Sequence, residues 1–185
     1  MSNLSFSPGF RLPDDPTVEL LVAVLYAESS SRSWGGCENA DEKEAIGWTF
    51  VNIAHFASHI PEGKKRCYNS DMGVGTLLSA IKSKSLAYNS ALWKQIMDGD
   101  ALKPLAALSK TLQPSQQAHL ELCVDAAVAI GSHPEGPHPL TTLGDRAPIE
   151  FNKARNSPGN PRRLERIGGL GAHSFYGFIA GRECE

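Results

Sequence analysis

The stretch Leu20–Ser31, LLVAVLYAESSS, decides how the chain is read. Its eight apolar residues, Leu20–Ala27, are the longest apolar run, far short of the roughly 20 residues that a membrane span needs. Just upstream, Asp15 stands where a helix N-cap belongs. Pro16 follows at the first helical position, where its missing N–H does no harm. Val18, Leu21, Val22 and Leu25 recur with the 3.6-residue period and predict a helix with that stripe buried. Glu28, three residues after Leu25 and seven after Leu21, continues the stripe. Ser29–Asn39 is rich in Ser and Gly, reads as a loop, and would let a substrate reach the helix end.

Working outward, Asn39 and Glu42 form an N-cap/N3 pair of the capping-box type. They predict a second helix that turns Ala45, Ile46, Thr49, Phe50, Ile53 and Phe56 inward and stops before Pro61. Shorter helices are expected at Thr76–Ser83, Ser90–Asp98 and around Leu105–Leu112. Pro114 and Ser115 open a long helix to Ile130, stopped by Gly131, with Gln117, Glu121 and Asp125 as its wet stripe. Upstream, residues 1–15 read as an extended arm. Beyond Gly131 the texture changes, and half of the 12 prolines fall in 134–161. Long helices are excluded there. Loops and short strands should wrap over the helical body, anchored by Phe151, Phe175, Tyr176 and Phe178. Residues 131–185 have too few apolar side chains for a core of their own. The expected class is therefore mostly α, in one domain over 1–185, with a helical body at 16–130 and a Pro/Gly-rich wrapping segment at 131–185.

Composition excludes several functions. The chain has 185 residues, with 18 Lys+Arg against 20 Asp+Glu. A near-neutral balance argues against a dedicated nucleic-acid binder, and no segment suits membrane insertion. The first fifteen residues carry one Arg, two Pro and no apolar core of a leader, so no cleavable signal peptide is expected. Cys37, Cys67, Cys123 and Cys184 have no C-x-x-C spacing. They are either separate thiols or two disulfides, in one of three connectivities.

Glu28 carries the chemistry. Desolvation on a buried stripe and the negative end of the helix dipole both disfavour its anion. The expectation is an acid that keeps its proton, which is what protonating the leaving oxygen of a glycosidic bond requires.

These segments together resemble the cell-wall hydrolase family that includes the spore cortex-lytic enzymes. The resemblance runs through LLVAVLYAESSS, then DEKEAIGWTFVNIA with Asn52 near its end. It continues through an aromatic-polar pair near Ala87–Ser90, an Ala-rich helix ending Ala129-Ile130-Gly131, and the pair Phe151-Asn152. It closes on IGGLGAHSFYGF, which holds His173, Phe175 and Tyr176. It spans roughly Val18–Phe178, and the shared order of the segments is its main strength. The chain departs from the family at Ser31 and Arg32, where a second acidic residue is usual, and in its own Trp34 and Cys37.

The resemblance implies a lysozyme-like helical fold and a peptidoglycan glycoside hydrolase, either an N-acetylglucosaminidase or a muramidase, with Glu28 as general acid. It also implies substrate contacts from Tyr88, Asn89, Asn152 and His173, and neither metal nor cofactor. Without a leader, and with cysteines able to pair, the chain is also similar to type VI secretion effectors that attack peptidoglycan. Such a protein is made in the cytoplasm, acts in the periplasm of a target bacterium, and meets an immunity protein that occludes its cleft. Candidates for a second carboxylate are Glu38, Asp41, Glu44, Asp71 and Asp145. A lytic transglycosylase would need none, because a hydroxyl of the sugar itself attacks. Lys153, Arg155, Arg162, Arg163 and Arg166 could attract carboxylates of the substrate.

Two amidase alternatives stay open. Cys37, two residues before the Asn39 cap, could act as nucleophile with His173 as base. His55 and His59 at i, i+4, with His133 or His138, could bind zinc, although Phe56 follows His55 where H-E-x-x-H would have Glu. A module that binds glycan without cutting it is the remaining reading.

Overall fold

The computed structural model describes residues 13–29, 39–58, 80–81, 97–98, 101–102, 112–133, 135–153 and 157–182. Helix α1 (Pro16–Glu28) begins as the sequence requires. Asp15 Oδ1 accepts from the N–H groups of Thr17 and Val18, at 2.8 and 3.0 Å. Its buried region is wider than a stripe, since Leu20 to Tyr26 are all buried. The reason is its neighbours, for α1 packs against both other long helices. Helix α2 (Ala40–Ser58) is capped by Asn39, whose Oδ1 accepts from Glu42 N–H at 3.0 Å. From Ala45 to Ala54 it too is buried on every side.

Helix α3 (Pro114–Gly131) runs antiparallel to α1. Gly131 lies against Val18 at one end, and His119 meets Tyr26 at the other. The predicted wet stripe of α3 is only partly wet. Asp125 is exposed and Glu121 half-buried, but Gln117 is buried, and its amide donates to Leu112 O at 3.2 Å. At Gly47 the three helices converge. A Cβ there would fall on the Ile130 methyl and 3.7 Å from Leu25 Cδ2, so a glycine lets α2 sit this close.

Ala80–Ile81 is helical, within the predicted Thr76–Ser83 helix. The end of the predicted Ser90–Asp98 helix is instead extended. Strand β1 (Met97–Asp98) pairs antiparallel with β2 (Ala101–Leu102); Gly99, the next residue in the sequence, is a poor helix former.

The C-terminal segment forms a three-stranded antiparallel sheet, β3 (Glu150–Lys153), β4 (Leu164–Leu170) and β5 (His173–Phe178), with β5 in the middle. Every residue of β5 is buried. Helix α2 lies along it: Glu42 meets His173 at one end, and Phe56 meets Phe178 edge-on at the other, with centroids 5.0 Å apart. Phe50 contacts Phe151 between them. So α2 is the middle layer, with helices on one side and the sheet on the other, and one apolar cluster runs through both sides. The molecule is helix-rich with a small sheet. Among the described residues no helix is long and apolar enough to cross a membrane.

Candidate functional site

Glu28 is the last residue of α1 and is half-buried. A buried stripe continued through Glu28 would place it deeper. The helix ends there and Ser29 turns into extended backbone, which leaves the carboxylate at the margin of the core. The preceding carbonyls are held. Leu25 O accepts from Ser29 N–H at 3.0 Å and from the Ser29 hydroxyl at 2.5 Å. Tyr26 O lies 3.0 Å from Nε2 of the fully buried His119. A carbonyl can only accept, so Nε2 of His119 carries the proton. These bonds fix the last turn from which Glu28 projects.

The start of α2 holds two further charged side chains, Glu42 and Lys43, both fully buried. Glu42 Oε1 accepts from Ala172 N–H at 2.7 Å and lies 2.9 Å from His173 Nδ1. Three influences favour the carboxylate there: the backbone N–H, the imidazole and the positive end of α2. Lys43 stands one turn before Gly47 on α2. A charge this deep is costly to bury, so its side chain belongs to the built interior.

Sequence reasoning saw Glu42 only as a capping residue. A signal was present, because Glu42 lies four residues before Ile46 and seven before Thr49, on the face already assigned inward.

The predicted contact residues are distributed as follows. His173 opens β5 and is buried, on the same face as Phe151, whose ring it meets edge-on at 5.5 Å. Asn152 lies on the opposite face. Its amide donates to Glu150 Oε1 at 2.7 Å, and Glu150 also accepts Gly159 N–H, so Asn152 helps hold the chain after β3. Pleating therefore separates Asn152 from His173 although their strands are paired. Tyr88, Asn89 and Cys37 lie outside the described residues, as do Cys67, Cys184, Glu38, Asp71 and His59. Cys123 is buried on α3. Asp41, Glu44 and Asp145 are exposed.

His138 stacks on Trp48 at 3.7 Å. Its backbone is gripped by Asn52, whose Oδ1 accepts His138 N–H at 2.6 Å and whose amide donates to His138 O and Pro148 O at 3.2 and 2.9 Å. Among the described residues no three His, Cys, Asp or Glu side chains converge as a metal set. Of the predicted basic cluster, Arg155 lies outside the described residues, and Arg163 and Arg166 make contacts within the fold. Arg163 covers the Phe178 ring at 5.3 Å, and Arg166 Nε donates to Ser174 Oγ at 3.3 Å.

Compared with family models, curated proteins and solved structures, the chain matches none. Its own side chains offer two chemical elements: the half-buried Glu28 side chain at a braced helix end, and a buried Glu42–His173 pair at the start of the next helix.

Proposed function

We propose that this chain is a peptidoglycan glycoside hydrolase with a lysozyme-like helical body, cleaving the glycan backbone as an N-acetylglucosaminidase or muramidase. The observation that carries the reading is the seat of Glu28. One residue beyond a run of seven consecutive buried residues, it closes a helix whose last turn is pinned by Ser29 and His119, and it is itself half-buried. An acid so placed can meet a sugar while its backbone stays rigid. Glu28 protonates the glycosidic oxygen as the C–O bond breaks, then accepts a proton from the water that attacks the anomeric carbon. The order of segments shared with the spore cortex-lytic family supports the same assignment. In this reading the protein is a type VI effector delivered to a rival's periplasm, and its partner is an immunity protein that covers the cleft.

The test is Glu28→Gln assayed on purified sacculi. Release of soluble fragments should fall roughly 100- to 10,000-fold with the circular dichroism spectrum unchanged. Undiminished release removes the proposal.

A lytic transglycosylase is favoured by one observation: the described candidates for a second carboxylate, Asp41, Glu44 and Asp145, are all exposed. Mass spectrometry of the fragments separates the cases, with anhydro ends for a transglycosylase and reducing ends for a hydrolase. The Glu42–His173 pair favours a thiol amidase as a further reading, since a carboxylate on Nδ1 is how a catalytic imidazole is oriented. Free peptides among the products, abolished by a thiol alkylator, would select it.

A further inference from the structure

Burying a carboxylate costs several kcal/mol unless its surroundings are built for it, and around Glu42 they are. Its side chain is fully buried, and 7% of the His173 side chain is exposed. Gly171, at φ +57°, brings the β4–β5 turn so near that a Cβ would fall on the Glu42 carboxyl group, and the next residue, Ala172, donates its N–H to Oε1. The turn is shaped around this oxygen. His173 Nδ1 faces the same atom at 2.9 Å, while Phe151 meets the imidazole edge-on and fixes its plane. An ionised carboxylate can only accept, so Nδ1 holds a proton, and in the neutral ring Nε2 keeps its lone pair. A plain hairpin-to-helix clasp would be served by the Ala172 bond alone, without an imidazole whose second nitrogen is left as an acceptor.

We infer that Glu42 is a positioning residue that holds His173 as its Nδ1–H tautomer, so that Nε2 accepts a hydrogen bond from the glycan, from a sugar hydroxyl or an acetamido N–H. This rests on the peptidoglycan reading for its ligand and on geometry alone for its tautomer. Glu28 and Glu42 then divide the work: one transfers the proton, and the other acts through His173 on how the sugar sits.

Two measurements test it. Long-range proton–nitrogen spectra of imidazole-labelled wild-type protein should show that the neutral ring carries its proton on Nδ1 and leaves Nε2 bare. A neutral ring with its proton on Nε2, or a ring that keeps both protons throughout the pH range in which the fold survives, overturns the inference, and this needs neither a variant nor activity. Glu42→Gln keeps the shape and can still accept from Ala172, but it holds Nδ1–H less firmly. It should raise KM for solubilised glycan strands about tenfold with kcat within about threefold, as expected for loss of an orienting contact. An unchanged KM, or a fall in kcat at constant KM, overturns it. Should Glu28→Gln prove fully active, the hydrolase reading fails while the tautomer result stands, so the two failures are told apart.

Discussion

The two sides of α2 are held by different forces. Toward α1 and α3 the contacts are apolar and close, with Gly47 against Ile130 and Leu25. Toward the C-terminal segment there are aromatic contacts as well, but its path is set by polar clasps that reach far along the sequence. Asn52 holds His138 and Pro148, Glu42 holds Ala172 and His173, and Arg146 bridges Glu165 at 2.6 Å and donates to Phe178 O. A segment poor in apolar residues cannot be positioned by burial alone, so directional bonds from a buried helix do it. Dispersion makes the helical side stable, and hydrogen bonds make the sheet side specific.

Breaking the apolar side should have the largest effect. Leu25→Ala is expected to cost about 2–5 kcal/mol in denaturant unfolding, with helix and sheet lost in one transition because they share a core. Two separate transitions would show that the sides are independent. Breaking a clasp should cost less and act locally. Asn52→Ala leaves buried backbone groups without their partner, at about 1–3 kcal/mol. Hydrogen exchange should accelerate at the His138 amide while amides in the middle of α1 stay protected. Equal acceleration in α1 would mean that the clasp supports the whole molecule. The smallest change is expected at the Arg146–Glu165 pair, whose side chains are 36% and 48% exposed. Glu165→Gln should shift stability by less than about 1 kcal/mol, and the shift should shrink in high salt.

The helical side was more legible in the sequence because its signals are local. Asp15-Pro16, Asn39 with Glu42, and Pro114 with Gly131 mark helix ends within a few residues of where they form. How far burial extends around α1 and α2 was not legible, because periodicity shows which face is apolar but not how many neighbours a helix acquires. Gln117 and Lys43 were missed for the same reason: a polar residue in a helix reads as wet until a partner is known. At the candidate site the helix that carries Glu28 was legible, but its burial was overstated, because the helix stops at that residue instead of continuing the stripe. The Glu42–His173 pair joins residues 131 apart, and a local motif had already accounted for Glu42. Asn152 and His173 fall in neighbouring strands, and only the register shows that they face opposite ways.

Between Ala45 and Ala54, α2 has no side open to solvent. Each residue there must suit two environments at once, so mutational drift along this helix has little freedom. Adaptation to a new substrate would have to come mainly from the helix margins and the turns, where Glu28 and the Gly171–His173 corner stand.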